Sequence, residues 1–301
     1  MSRIVADSEV FSSLKGKTVV ITGGATGIGR AFVHDAHRLG ANVVVADVAV
    51  ESGESLAASL GPSVLFVRCD TTSYQDQLSL FSKAQETFGN IDVVIANAAV
   101  VDYTDYFAPV DDITSEPPFR ELNVNLRGVM FTARIGMHYL RKSGGGDLIL
   151  LSSIAGFKES AEMTSYLASK HGVIGVMRGL RLSTLPQGIR VNVICPWMTR
   201  TGMTKGIEKG WIELNLPVNE PEDVARAMLI CATSNSEAAR NSHFKDQPPF
   251  HGKILFIAGG ESYEIEDKLQ ALEPEWLGQE NSRVLKLGQD YLHNGSTSWG
   301  Y

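Results

Sequence analysis

Cysteine is scarce: Cys69, Cys195 and Cys231 are the only three in 301 residues, and no CxxC spacing occurs among them. A disulfide-stapled scaffold is therefore excluded, and no ligand pattern for zinc is present, so no metal is expected. Cys69 and Cys195 close apolar runs (LFVRC and VNVIC), where a thiol behaves as a small buried hydrophobe. Basic runs are missing as well. Lys and Arg number 27, dispersed among 34 Asp and Glu, for a formal net charge of −7. A nucleic-acid or anionic-membrane partner calls for a cationic face, and neither is expected. No apolar run is long enough to span a bilayer, and the opening MSRIVADSEVFSSLKGK lacks a signal-peptide core. The closing residues carry no prenylation box and no reticulum or peroxisomal tripeptide. The expectation is a cytoplasmic protein without membrane insertion.

What is present is a regular alternation. Short β-branched runs, TVVIT (18–22), NVVVA (42–46), SVLFV (63–67), IDVVIA (91–96), DLILL (147–151), IRVNVI (189–194) and KILFI (253–257), are separated by longer segments with helical spacing. The runs are apolar almost throughout, as strands buried on both faces are. One intervening helix is expected to begin after Ser73 and to end at Gly89. Strand–helix alternation predicts a doubly wound, mostly parallel sheet in one α/β domain, with a core over about residues 15–260. Two stretches fall outside it. Residues 196–220 read as a Gly-punctuated lid over the substrate, and residues 261–301 as an extension whose acids form a solvated face.

Thr22-Gly23-Gly24-Ala25-Thr26-Gly27-Ile28-Gly29 follows the first strand and opens a helix expected to start near Arg30. Gly23, Thr26, Gly27, Ile28 and Gly29 would let backbone N–H groups and a helix N-terminus approach a pyrophosphate. Asp47 ends the second strand eighteen residues after Gly29, where an acid accepts hydrogen bonds from ribose hydroxyls and repels a 2′-phosphate. The next residue is Val48, not a cation, so NAD is the expected cofactor. Asp70 and Thr71, past the third strand, are placed near the adenine. Asn97 and Ala98, past the fourth, let the cofactor lie against the sheet.

Tyr166 and Lys170 are four residues apart in a helical pattern and share one face. Free tyrosine ionises near pH ~10, and an ammonium about 4 Å away would lower that value enough for Tyr166 to act as acid or base. Ser153, thirteen residues earlier, would hold the substrate oxygen. Asn125, in VNLRG, would anchor a water relaying protons to Lys170.

These motifs, in this order and spacing, resemble the short-chain dehydrogenase/reductase family of NAD-dependent type across about residues 15–260. The resemblance implies a Rossmann-type sheet of seven strands ordered 3-2-1-4-5-6-7. It also implies a Ser-Tyr-Lys-Asn tetrad and a homodimer or homotetramer. The family has Pro-Gly after its sixth strand; here the pair is Pro196-Trp197, with Thr199 and Thr201 at the positions that would bind the nicotinamide carboxamide. Trp197 in place of glycine puts a large ring near the nicotinamide. With Met163, Met198, Met203 and Trp211 it suggests an apolar pocket for a hydrophobic small molecule, polycyclic, terpenoid or polyketide rather than a sugar. Two rival functions are an NAD-binding scaffold or non-redox template on the same fold, and a sugar-nucleotide epimerase or dehydratase. The intact tetrad argues against the first. The TGxxxGxG spacing and the lack of a substrate domain argue against the second.

Overall fold

Strands with no polar face can only be accommodated where both sides of a sheet are covered, and the seven apolar runs become seven parallel strands. A computed structural model describes residues 2–5, 8–104, 106–110, 112–241 and 249–293. In chain order the strands are β1 (Ser2–Ile4), β2 (Thr18–Thr22), β3 (Asn42–Asp47), β4 (Val64–Arg68), β5 (Val93–Ala96), β6 (Gly146–Leu151), β7 (Ile189–Pro196), β8 (Ile254–Ala258) and β9 (Glu261–Glu264). They form one sheet ordered β1-β9-β8-β7-β6-β5-β2-β3-β4. Its parallel part, β4-β3-β2-β5-β6-β7-β8, has the order that the family resemblance implied.

The described sheet has nine strands, not seven. Gly259 and Gly260, at φ +59 and +81, form a two-residue hairpin that turns β9 back antiparallel to β8. β1 then pairs antiparallel with β9, and Arg3 pairs with Glu261. Neither strand is apolar enough to announce itself: their sequences are SRI and ESYE.

The helices of the core are α1 (Ser8–Phe11), α2 (Gly27–Arg38), α3 (Val50–Leu60), α4 (Tyr74–Phe88), α5 (Val129–Lys142), α6 (Thr164–Thr184), α7 (Glu208–Glu213), α8 (Pro221–Thr233) and α9 (Glu237–Asn241). Alternate strand residues feed two cores between sheet and helices. Val19, Ile21, Val43 and Val45 pack with Phe32 of α2 and with Val224 and Met228 of α8. Val20, Val44 and Leu148 pack with Leu80 and Phe81 of α4, Ala133 and Leu140 of α5, and Val173 and Met177 of α6. Truncating a fully buried ring such as Phe32 to Ala costs about 3–5 kcal/mol. Ser73 caps α4 as expected, accepting from Asp76 N at 3.1 Å, and Gly89 ends it at φ +81.

Three further segments complete the described chain. Residues 196–220 contain the short helix α7. They close on themselves where Asn219 N donates to Met198 O at 2.8 Å and Arg200 N to Asn219 O at 2.9 Å. The extension continues from β9 into α10 (Glu266–Ala271), α11 (Glu273–Leu277) and α12 (Gln279–His293); residues 294–301 lie outside the described residues. Its acids are not all solvated. Glu264 and Glu266 are buried, and Glu266 receives Arg178 Nη2 at 2.8 Å and Arg181 Nη1 at 3.1 Å, which ties α10 to α6. The third segment, residues 97–121, has no regular structure among its described residues before the last two and leads into a π-helical turn over Leu122–Gly128.

Candidate active site

Parallel strands deliver their C-terminal residues to one edge, and the ends of β2, β3, β5, β6 and β7 open into a cavity of about 1460 Å³. At its floor Gly23 leaves β2 with φ +65 and donates to Ala46 O at 2.7 Å. A Cβ on Gly23 would stand 2.8 Å from Ala98 Cα, and one on Gly29 would collide with the Gly23 carbonyl oxygen. Asn97 locks the turn through Nδ2, which donates to Thr22 O at 2.9 Å and Gly23 O at 2.8 Å. The helix α2 starts at Gly27, not near Arg30, because Arg30 N already donates to Thr26 O at 3.1 Å. Gly27, Ile28 and Gly29 thus supply first-turn N–H groups with no carbonyl partner in the helix, at the cavity wall.

Asp47 reaches the same cavity with one backbone donor on each oxygen: Ala25 N on Oδ2 and Ala49 N on Oδ1, both at 3.0 Å. Further lone pairs remain on both. Asp70 uses Oδ1 to accept from the Thr72 N–H and hydroxyl, at 2.9 and 2.7 Å. Thr71 is buried beside it, its carbonyl accepting from Gln77 Nε2 at 2.6 Å. Thr26, Asn97 and Ala98 complete this half.

Ser153, Tyr166 and Lys170 line the middle of the cavity. Ser153 caps a one-turn segment, Ile154–Gly156, accepting from Ala155 N at 3.2 Å. Lys170 is buried; its Nζ donates to Leu151 O at 3.1 Å and stands 5.6 Å from the centre of the Tyr166 ring. Burial draws the Lys170 amine down from 10.5 to about 8. Burial also pushes the Tyr166 phenol above its ordinary value, opposed by a hydrogen bond from Ser153. The expected lowering of the phenol by Lys170 is therefore not produced within the protein itself. Desolvation dominates, and the Lys170 Nζ is engaged at the Leu151 carbonyl.

Asn125 has a different place from the one expected. It is fully buried, is not among the residues lining the cavity, and spends both ends of its amide on Val100. Oδ1 accepts from Val100 N and Nδ2 donates to Val100 O, each at 2.8 Å, with Ser169 Oγ at 3.3 Å from Nδ2. Its side chain clasps the start of the 97–121 segment.

On the far side, Met163, Trp197, Met198, Met203 and Trp211 all reach the cavity. Trp197 meets Trp211 edge-to-face at 5.6 Å, and Trp211 Nε1 donates to Pro217 O at 2.9 Å. Thr199 Oγ1 donates to Trp197 O at 3.0 Å, and Thr201 caps the turn Gly202–Thr204. Sequence reasoning missed the opposite wall. Val101, Tyr103, Pro118 and Arg120, all in 97–121, also line the cavity. Tyr103 OH donates to Met203 O at 2.7 Å, joining this wall to residues 196–220. Buried Glu121 supports it from behind, accepting from Asp102 N at 2.9 Å. The available signal was a long stretch without helical or strand periodicity after a strand's C-terminal end, carrying Tyr103, Tyr106 and Phe107. Among the described residues no group of side chains is arranged to hold a metal ion, and no helix is long and apolar enough to cross a membrane.

The sequence profile of the short chain dehydrogenase family matches residues 17–210. The short-chain dehydrogenase/reductase ascJ of Acremonium egyptiacum is 34% identical over 268 residues, covering 86% of this chain and 84% of that protein. The 15-hydroxyprostaglandin dehydrogenase [NAD(+)] of Homo sapiens is 32% identical over 206 residues, covering 65% of this chain and 73% of that protein. A crystal structure of 3-ketoacyl-(acyl-carrier-protein) reductase from Brucella melitensis, complexed with NADH, superposes with a TM-score of 0.71 at 23% identity. It covers 82% of this chain and 98% of that one, a likeness of fold.

Proposed function

The chain belongs to the short-chain dehydrogenase family and is an alcohol- or ketone-handling oxidoreductase, and from that premise we propose that it uses NAD to interconvert a hydrophobic secondary alcohol and its ketone. The observation that carries the reading is the meeting, in one cavity, of the glycine turn, the Asp47 carboxylate, the Ser153–Tyr166–Lys170 group and an aromatic wall.

The donor set fits a dinucleotide. The backbone approach at Gly23 and Gly29, which a Cβ would fill, and the open N–H groups of Gly27–Gly29 suit a pyrophosphate. Asp47 suits a ribose diol, and exposed, uncharged Val48 offers nothing to a 2′-phosphate. NAD, when bound, supplies the hydride acceptor. Ser153 orients the substrate oxygen, Tyr166 takes its proton, and Lys170, on the same helix face, steadies the ribose and favours the phenolate once its ammonium is drawn toward the ring. Thr199 and Thr201 are assigned to the carboxamide and Asp70 with Thr71 to the adenine side. Asn125 positions the Val100 backbone. Met163, Trp197, Met198, Met203 and Trp211 form an apolar wall that favours a bulky hydrophobic substrate.

The assembly we propose is a homodimer or homotetramer of single-domain subunits. The three buried free cysteines support a cytoplasmic setting. Initial rates of NADH and NADPH formation from a panel of hydrophobic secondary alcohols test the activity. NAD is expected to win by at least about tenfold in kcat/KM, roughly 1.4 kcal/mol. Equal efficiency with both cofactors would overturn the Asp47 assignment. Absence of turnover across the panel, with NAD bound, would overturn the catalytic one.

A further inference from the structure

We propose that an apolar groove beside the main cavity is a subsite for the far end of the substrate, and that it takes an aliphatic chain ending in a carboxylate. The proposal rests on the dehydrogenase reading in treating the ligand of the main cavity as substrate. The groove has a volume of about 290 Å³ and is walled by Ile154, Phe157, Phe256, Ile265 and Leu269, with Lys158 and Lys268 beside them. Ile154 and Lys158 also line the main cavity, so the two spaces meet at shared residues, the first of them one past Ser153. Phe256 of the groove packs on Trp197 of the main cavity with ring centres 6.2 Å apart.

The extension builds the outer side. Ile265, Lys268 and Leu269 lie beyond β9, and they are held in place by the buried Glu266 bound to Arg178 and Arg181 of α6. A loosely attached tail would not need that buried ion pair. The extension thereby supplies half of a binding surface next to the helix that carries Tyr166.

The chemistry of the lining selects the occupant. The groove walls present only apolar surface, which suits a hydrocarbon chain and excludes a sugar. The acids beside Lys268 in sequence are engaged elsewhere. Asp267 pairs with Lys253 at 2.6 Å, and Glu266 turns inward to its arginines. Glu159 meets Lys158 at 3.8 Å, both exposed, a weak contact. Lys158 and Lys268 thus flank the apolar groove, the second with no ion pair among the described residues. Lysine stems can lie along a hydrocarbon chain while their ammonium groups stay hydrated and meet its anionic end.

The test is binding of dodecanoate and of its methyl ester to the NADH-loaded protein, followed by calorimetry and by tryptophan fluorescence. Dodecanoate is expected to bind about three- to fivefold tighter than the ester, the range of a partly exposed ion pair. Lys268→Glu should erase that preference while leaving ester binding within about twofold. Leu269→Asp, at a partly exposed position, should weaken both ligands by about tenfold. Oxidation of butan-2-ol, too short to reach the groove, should be unchanged in both variants. Equal binding of acid and ester to the unmodified protein overturns the proposal, as does a preference that survives both substitutions. A protein that shows the expected binding but oxidises no alcohol keeps the groove and overturns the dehydrogenase reading. One that oxidises butan-2-ol but lacks the preference keeps the activity and overturns the groove.

Discussion

The two sides of the cavity are built from different materials. The floor, at Gly23, Gly29, Asn97 and Ala98, is backbone packed on backbone, with Thr22 and Asn97 bonded at almost every polar atom. The far walls, within residues 99–121 and 196–220, are side chains carried on segments with little regular structure among their described residues, tied by scattered hydrogen bonds such as Tyr103 to Met203. A floor of this kind tolerates few residue types because there is no space for them. A wall of this kind can be rebuilt residue by residue, so binding of the shared cofactor and choice of substrate are separable.

The sharpest break would come at the seam between them. Tyr166→Phe keeps the ring but removes the hydroxyl, and kcat/KM should fall by a factor of about 10²–10⁴ while NAD affinity changes by less than about twofold. Near-normal turnover in this variant would remove Tyr166 from the chemistry. Next comes the floor itself. Gly23→Ala forces a Cβ against the Ala98 backbone at a φ of +65, and NAD affinity should drop by roughly 10- to 100-fold, the effect of an overpacking strain of about 1–3 kcal/mol. An unchanged Kd by calorimetry would show that the floor is softer than its contacts indicate.

Lys170 separates function from stability. Its amine falls from 10.5 to about 8 on burial, so between those values the unfolded chain holds a proton that the folded chain has released. The contribution of this group to stability therefore rises with pH across that window, and below pH 8 the buried charge is a constant burden. Lys170→Met should abolish turnover yet raise Tm at about pH 7 by a few degrees, with the gain shrinking by about pH 10. Thermal scans at the two pH values decide it; a lower Tm for the variant near neutrality would mean that the bond to Leu151 outweighs the desolvation. The smallest effect belongs to the wall. Tyr103→Phe cuts the tie to Met203 and should raise the substrate KM by about two- to fivefold, one exposed hydrogen bond, with NAD binding untouched. A loss of NAD affinity there would merge the two regions.

The same contrast governs what the amino-acid sequence reveals. Strands buried on both faces must be apolar throughout, and close backbone approach must be glycine, so the parallel sheet and the turn at Thr22–Gly29 are legible letter by letter. The pairing of Tyr166 with Lys170 follows from helical spacing alone. β1 and β9 are not legible, because edge strands of three and four residues need no apolar pattern. The wall at 97–121 lacks any period to read, and its position depends on Asn125 of the next turn and on Glu121 at its own end folding back on it. Glu266 reads as a surface acid until Arg178 and Arg181, more than eighty residues away, are folded against it.

A π-helical turn is what an α-helix becomes when one residue is added without lengthening its axis. The stretch Leu122–Gly128 therefore stores its information in a count rather than in letters. Removing one residue there would let the turn relax to α with the flanking helix left in phase, because the bulge already absorbs the extra residue, and the change would fall on the turn itself. Asn125 would swing off Val100, and the whole wall it clasps would lose its aim. Point substitutions in this turn delete one contact each, whereas a single-codon deletion at Leu122, Leu126 or Gly128 would redirect a binding surface while keeping Asn123, Val124 and Arg127, which line it.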